Sequence, residues 1–255
     1  MIIHHIRNAS MIIETSDHVL LIDPMIGDVG TAAPPFSFIR FKPKKNPIIS
    51  LPKGAMDLIE KTTHCLITHQ HADHLDKAAL DFLRENNTPV TCSHLDKEDL
   101  NKKGLQIVNS IEYHKTHDFL GGSIEGIPAR HGYGYVAKPM GNVMGYYIQL
   151  PNEPSVYLSS DTIYTEDVQN TLLIKQPDIS VVACGSAQLD IFKPLLMTIE
   201  DITRFIGDAP AQIICNHLEA VNHCPTTRKG LKEHLISKGL IENCWIPDDG
   251  DQRQY

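Results

Sequence analysis

Four side chains that can bind a metal ion lie within six positions, directly after an apolar run: His69, His71, Asp73 and His74. In extended backbone, residues two positions apart point the same way, so His69 and His71 can contact one ion. Asp73 and His74 follow where the chain turns toward a predicted helix, which can direct them to a neighbouring position. Nitrogen and carboxylate ligands together favour Zn²⁺, with Mn²⁺ or Fe²⁺ as alternatives.

Three more side chains of the same kinds follow the ends of later apolar runs: His131, Asp161 and His217. Each is a metal-ligand type at the position where a predicted strand ends. His223 lies six residues beyond His217 and is an alternative for the last position. We favour His217 because it directly follows its strand.

The pattern H-x-H-x-D-H, followed after 57, 30 and 56 residues by His131, Asp161 and His217, resembles the metallo-β-lactamase superfamily. The resemblance covers nearly the whole chain. It implies an α/β fold, a four-layer αββα sandwich of two mixed β-sheets flanked by helices. It also implies two divalent metal ions, with one ion bound by His69, His71 and His131, the other bound by Asp73, His74 and His217, and Asp161 bridging both.

The motif of this chain differs from the motifs of three branches of that superfamily, and these differences make the activities of those branches less expected here. True metallo-β-lactamases usually lack a histidine at the position of His74 and carry cysteine where Asp161 stands. Oxygen-reducing di-iron relatives carry glutamate in place of His71, and glyoxalase II enzymes place a glycine after the motif that is missing here. The pattern is similar to the branch that includes ascorbate-phosphate lactonases and phospholipase D-like hydrolases of N-acyl lipids.

This resemblance implies a binuclear metal-dependent hydrolase that uses a metal-bridging hydroxide to cleave an ester, lactone or amide bond of a small substrate. Asp73 is the candidate catalytic residue, because its carboxylate can orient the hydroxide. Two dications, two carboxylates and one hydroxide leave a charge of about +1, which favours an anionic substrate. A metal-dependent phosphodiesterase and a non-catalytic metal-binding protein of the same fold are the alternatives.

Two loops could contact the substrate. Residues 34–53 contain five prolines, three phenylalanines and five basic residues, which excludes a regular helix or central strand. The sequence therefore predicts a long loop at about 27–54, either a lid whose cations attract an anion or an ordinary solvated loop. A glycine- and tyrosine-rich segment follows His131 and is either a substrate-contacting loop or a simple turn. The candidate substrate-binding residues are Tyr133, Lys138 and His223.

The elements that must position these side chains follow from the periodicity of apolar residues. Strands are predicted at 2–6, 11–14, 19–22, 63–68, 89–92, 105–108, 111–116, 121–129, 145–150, 155–158, 179–183, 212–215 and 241–245. Helices are predicted at 77–85, with Asp76 as its N-cap, and at 96–102, 166–175, 199–207 and 227–237. Asp23 is predicted to be a structural carboxylate that caps backbone amides. Residues 1–255 read as one domain, since no linker-like composition interrupts them.

Composition excludes several other classes of protein. The chain has 255 residues, 42% of them hydrophobic, and a net charge of −8, so nucleic acid is not an expected partner. No run reaches the ~18 apolar residues of a membrane span, and the N-terminus does not resemble a signal peptide. Six scattered cysteines without a C-x-x-C pair indicate a reducing, cytoplasmic location. A small-molecule substrate is expected, and a homo-oligomer is compatible with the sequence.

Overall fold

The computed structural model describes residues 1–33 and 39–255, and these residues form two β-sheets of seven strands each. The first sheet has the order β14-β1-β2-β3-β4-β5-β6. Its strands are β1 (Ile2–Arg7), β2 (Ser10–Glu14), β3 (Val19–Ile22), β4 (His64–Leu66), β5 (Pro89–Ser93), β6 (Gln106–Ile111) and β14 (Gln252–Gln254). Strands β14 to β3 pair antiparallel and β3 to β6 pair parallel, so the sheet is mixed.

The second sheet repeats this arrangement in the order β13-β12-β11-β10-β9-β8-β7. Its strands are β7 (Thr116–Phe119), β8 (Gly122–Pro128), β9 (Met144–Gln149), β10 (Val156–Leu158), β11 (Ile179–Ala183), β12 (Gln212–Asn216) and β13 (Cys244–Trp245). Strands β7 to β10 are antiparallel and β10 to β13 are parallel. The ends of β8, β10 and β12 therefore meet at one edge of this sheet.

Helices cover the outer face of each sheet. The first sheet carries α1 (Ala55–Ile59), α2 (Lys77–Glu85) and α3 (Lys97–Lys102), whose apolar residues share one core cluster with β1 to β5. The second carries α4 (Glu166–Asn170), α5 (Ile199–Asp208) and α6 (Arg228–Lys238), which share a cluster with β8 and β10 to β12. A third cluster joins the inner faces of both sheets. The predicted four-layer αββα sandwich of two mixed β-sheets is confirmed.

Apolar side chains that alternate between the two faces of a strand explain why each sheet packs against helices on one side and against the other sheet on the other side. In β2, Ile12 packs under the helices, whereas Met11 and Ile13 pack between the sheets. Successive side chains of a strand point to opposite faces, so one apolar strand can serve two cores. Among the described residues, no helix has both the length and the apolar composition to cross a lipid bilayer.

Several predicted boundaries were wrong. Strand β6, Gln106–Ile111, extends beyond the predicted strand at 105–108, whereas most of the strand predicted at 111–116 is the turn before β7. The helix predicted at 166–175 ends at Asn170 and continues as a π-helical turn, Thr171–Lys175. The last predicted strand is only Cys244–Trp245, while α1 and β14 were not predicted. The segment after His131 forms a 3₁₀ helix, Gly134–Met140, rather than a simple turn.

The predicted long loop joins β3 to α1. The part at 34–38, with Phe36 and Phe38, lies outside the described residues. Residues 27–33 and 39–54 contain no helix or strand beyond an isolated bridge between Ala32 and Asn46. Its two ends are held by the fully buried Arg7, which donates to the carbonyls of Met25, Gly27 and Ile49.

Candidate metal centre

His69, His71 and His131 form the first of two clusters of metal-ligand atoms. One ring nitrogen from each lies within 4.8 Å of the others. His69 and His71 follow β4, and His69 Nε2 lies 3.2 Å from His71 Nδ1. His131 follows β8, and its Nδ1 donates to the carbonyl of Leu195 at 3.0 Å, which directs Nε2 toward the other two rings. Three imidazoles from the ends of two strands thus face one point.

The second cluster contains Asp73, His74, Asp161 and His217, again with their ligand atoms within 4.8 Å of one another. His217 follows β12, and its Nε2 lies 3.2 Å from Asp73 Oδ2. His74 Nε2 lies 3.2 Å from Asp161 Oδ1. The carboxyl end of β12 and the turn after β4 therefore bring together residues separated by more than a hundred positions in the chain.

The Asp161 carboxylate lies between the clusters and presents one oxygen to each. Its Oδ2 is 3.4 Å from Nε2 of His131 in the first cluster. Its Oδ1 faces Nε2 of His74 and, at 3.6 Å, Nε2 of His217 in the second. This placement is the one that a bridging ligand requires.

The donor atoms of the second cluster fit a cation. His74 Nε2, His217 Nε2 and Asp161 Oδ1 are buried and make no hydrogen bond, although they lie close together. Buried polar atoms without partners are costly and rare in native proteins. Buried nitrogen and carboxylate oxygen atoms that converge on one point match the needs of a divalent ion, and imidazole with carboxylate is a donor set suited to Zn²⁺. The histidines and aspartates of both clusters could therefore hold metal.

A second layer of contacts orients the histidines. Asp23 Oδ2 accepts from His74 Nδ1 at 2.9 Å, and Asp23 also accepts from the backbone amide and hydroxyl of Thr68. Cys224 Sγ lies 3.5 Å from His217 Nδ1. Such partners fix which ring nitrogen faces the ion. The predicted capping role of Asp23 is therefore incomplete, because the same carboxylate also positions His74.

Burial and mutual charge determine the titration of the cluster. Burial, followed by the neighbouring His74 and His71, holds the pKa of His69 well below its usual range. Burial opposes ionisation of Asp161, but His217 and His74 outweigh it and hold the pKa of Asp161 well below its usual value. Burial also disfavours charged His74, yet Asp161 and Asp23 raise its pKa to about 10. The second cluster is thus an environment that stabilises positive charge between two carboxylates.

A cavity of about 370 Å³ opens onto these atoms. His71, Asp73, His131 and Asp161 form one side of it. The other described lining residues are Ala32, Ala33, Asn46, Ala72, Met140, Leu189, Leu195 and His223. This cavity is the site where a small molecule can reach both clusters.

The three predicted substrate-binding residues occupy different positions. His223 lines the cavity, and its Nδ1 is buried without a hydrogen bond. Tyr133 is half-buried with an unpaired hydroxyl, and it is not among the described lining residues. Lys138 is exposed and also outside that set. The basic residues of the long loop, among them Lys42, Lys44 and Lys45, are exposed and do not line the cavity.

Comparisons with known proteins agree with this fold. A family model described as "Beta-lactamase superfamily domain" matches residues 18–216. The UPF0173 protein YddR of Bacillus subtilis (strain 168) is 32% identical over 257 residues, covering 100% of both chains. A UPF0173 metal-dependent hydrolase of Pyrobaculum arsenaticum is 26% identical over 187 residues, covering 70% of this chain and 69% of that protein.

Two solved structures are similar over almost the whole chain. "A possible metal-dependent hydrolase from Veillonella parvula DSM 2008" is 28% identical with a TM-score of 0.89, covering 99% of this chain and 98% of that one. The "isothiocyanate hydrolase from Delia radicum gut bacteria" is 25% identical with a TM-score of 0.88, covering 100% and 99%. The chain belongs to the metallo-β-lactamase superfamily. Its class within it is that of the metal-dependent hydrolases.

Proposed function

We propose that the protein hydrolyses an ester, lactone or amide bond of a small molecule at a binuclear site. In this proposal His69, His71 and His131 hold one divalent ion, and Asp73, His74 and His217 hold the other. The supporting observation is the position of Asp161, whose two oxygens face the two clusters separately. Zn²⁺ is the proposed ion in both positions, because the donors are nitrogen and carboxylate oxygen.

The residues of the chain have distinct parts in this reaction. Bound divalent ions would make hydroxide available at neutral pH and polarise the carbonyl oxygen of the substrate. Asp73 is the catalytic residue, since its carboxylate is more exposed than that of Asp161 (16% against 3%) and lines the cavity. It orients the attacking oxygen and accepts a proton from it. Asp23 and Leu195 keep His74 and His131 in the orientation that binding requires.

Isothiocyanate hydrolysis is a second candidate. The hydrolase from Delia radicum gut bacteria shares the full length of the chain at 25% identity. An isothiocyanate is a small uncharged molecule with one electrophilic carbon, and such a molecule suits a cavity with mostly apolar walls. Attack of water on that carbon needs the same orientation of the attacking oxygen as attack on an ester, with polarisation of the substrate's sulfur or nitrogen in place of a carbonyl oxygen.

Metal content and a panel of reporter substrates test these proposals together. The purified protein is expected to contain two ions per chain and to cleave p-nitrophenyl butyrate, a lactone or an anilide, or to consume benzyl isothiocyanate. Turnover of bis-p-nitrophenyl phosphate alone would favour the phosphodiesterase alternative. A fully loaded protein that is inert on every reporter would favour the non-catalytic alternative, and one ion per chain would contradict the binuclear site.

A further inference from the structure

We infer that the cavity selects uncharged substrates that carry a hydrocarbon group, and that His223 orients them through a hydrogen bond to their polar end. This inference rests on the proposed hydrolytic function and names its substrate class. From the sequence, the charge of a metal centre and the basic loop predict an anionic substrate. The structure leads us to an uncharged substrate instead.

The selection of uncharged substrates follows from the residues that form the walls of the cavity. Apart from the side that holds the metal-ligand atoms, six of the eight described lining residues are alanine, leucine or methionine, and none is lysine or arginine. Placing a carboxylate against such a surface removes it from water without a partner, which is strongly unfavourable. The basic side chains of the loop do not offset this cost, because Lys42, Lys44 and Lys45 are exposed outside the cavity.

The position of the charge within a substrate decides how this cost applies. The atoms at the bond to be cleaved lie beside His71, Asp73, His131 and Asp161, where polar and charged groups meet. The remainder of the molecule must lie against the other lining residues, among them Met140, Leu189 and Leu195. A charge at that distal end is therefore the feature that the cavity excludes, whereas polarity at the reacting end is tolerated.

The second part of the inference is that His223 orients the substrate. Its Nδ1 is buried and makes no hydrogen bond within the described structure, yet the residue lines the same cavity as Asp73 and Asp161. A buried polar atom without a partner in a residue beside a cavity is explained by a ligand that supplies one. The backbone around it is held in place, since the His223 carbonyl accepts from Gln188 and the next residue, Cys224, contacts His217. His223 is thus a fixed polar contact on a largely apolar wall.

Two esters of the same length test the substrate class. p-Nitrophenyl butyrate and mono-p-nitrophenyl succinate have the same leaving group and differ in a distal methyl against a carboxylate. The free carboxylate of the succinate accelerates spontaneous hydrolysis of its own ester, so the rate without protein is measured and subtracted. We expect the remaining kcat/KM to be at least about tenfold higher for the butyrate. Met140→Lys, which places a cation in the wall, should shift this ratio at least about tenfold toward the succinate, while Met56→Lys on α1 should leave it unchanged. Equal rates, or preference for the succinate, would overturn the inference.

A binding measurement separates failure of the inference from failure of the proposed function. If neither ester is cleaved, hydrolysis of esters is wrong for this protein, but the cavity can still be examined by calorimetry. N-benzyl butyramide should then bind more tightly than N-benzyl succinamate by about tenfold. Equal or tighter binding of the succinamate would contradict the neutral substrate class independently of turnover.

Substitution of His223 tests its positioning role. His223→Phe keeps a planar ring and removes the hydrogen bond, so kcat/KM on the butyrate should fall about tenfold while two ions per chain are retained. His223→Gln should recover part of that loss, and His94→Phe at an exposed site should cause none. Unchanged kcat/KM in His223→Phe would refute the hydrogen bond, and loss of one ion would show that His223 is a metal ligand.

Discussion

Three of the candidate metal-ligand side chains are held by residues that the motif does not contain. His74 is fixed by Asp23, His131 by the Leu195 carbonyl and His217 by Cys224. Each contact uses the ring nitrogen that does not face the cluster, so it selects the orientation that leaves the other nitrogen free to bind an ion. The precision of the site therefore depends on this second layer as much as on the motif.

Asp23→Asn tests this dependence. The Asp23 carboxylate accepts three hydrogen bonds, two from Thr68 and one from His74. An asparagine has only one oxygen, so its amide group must face either a Thr68 donor or His74 Nδ1–H. We expect the affinity of the second cluster for Zn²⁺ to fall about 10- to 100-fold in a chelator-competition titration. Asp17→Asn, at an exposed turn, is the matched control, and equal affinities in the two variants would contradict the role of Asp23.

The sequence identifies the members of the two clusters better than the residues that hold them. His69, His71, Asp73 and His74 could be grouped because they lie close together in the chain, and His131, Asp161 and His217 because each follows an apolar run. Asp23 touches Thr68 because β3 and β4 pair in parallel, and no local pattern shows that pairing. Its position at the end of β3, before Pro24, was a usable signal. Cys224 offered none, since a buried thiol is more often ordinary core.

At the scale of elements, the site depends on the close approach of the turn after β11 to the end of β12. Gly185 lies at this contact, and a Cβ there would be 2.4 Å from the His217 carbonyl oxygen and 2.7 Å from Cys224 Sγ. Neither atom is at the end of a flexible side chain. The absence of a side chain at Gly185 therefore permits His217 and Cys224 to occupy their positions.

Gly185→Ala and Gly207→Ala form a matched pair. The first should lower the free energy of unfolding by about 1–3 kcal/mol and weaken Zn²⁺ binding at the second cluster, because the His217 backbone must move. The second lies in α5 with no atom within 4 Å of the added Cβ, so it should raise the free energy of unfolding by up to about 1 kcal/mol. Urea unfolding measures both. If Gly185→Ala were as stable as the native chain, the close approach would not limit this contact.

Regular elements were predictable where apolar periodicity is strong and long. Strands β11 and β12 and helices α2 and α5 follow their patterns closely. Strand β14 was missed because its three residues are exposed and polar, and only pairing with β1 makes them a strand. The predicted strand at 111–116 was wrong because the chain turns there, with His114 at a φ of 57°. Such a turn depends on tertiary contacts that the sequence does not display.

At the scale of the whole molecule, stability should depend on pH through a histidine away from the metal centre. His64, the first residue of β4, is buried, lies 2.8 Å from the Thr91 hydroxyl and packs edge-to-face on Phe119. Burial, assisted by His18, lowers its pKa from 6.5 to about 4. The unfolded chain therefore takes up a proton below pH 6.5 that the folded chain refuses until about pH 4, so stability is complete above this range and falls as the pH falls through it.

His64→Gln keeps a hydrogen-bond partner for the Thr91 hydroxyl and removes the imidazole that titrates. Between pH 7.5 and pH 5, the native chain should lose about 2 kcal/mol more unfolding free energy than this variant. Denaturant unfolding at the two pH values measures the difference, and the exposed His94→Gln serves as control. The other titrating groups are common to all three chains and cancel. A native chain that loses no more stability than His64→Gln would contradict the assigned protonation.

The charge of the whole molecule says little about the charge of its substrate. The chain carries a net charge of −8, and the basic side chains Lys42, Lys44 and Lys45 of its long loop are exposed outside the cavity. In our proposal, the mostly apolar walls around the clusters decide which substrates reach them. Local burial, rather than net charge, governs the electrostatics of the candidate site.

A metal titration tests whether two ions share Asp161. Asp161→Asn keeps the size of the side chain and removes the charge that faces both His131 and His74. The native chain should retain two Zn²⁺ ions after dialysis against a weak chelator, and the variant should lose both sites rather than one. Retention of two ions by Asp161→Asn, or a single ion in the native chain, would contradict the account.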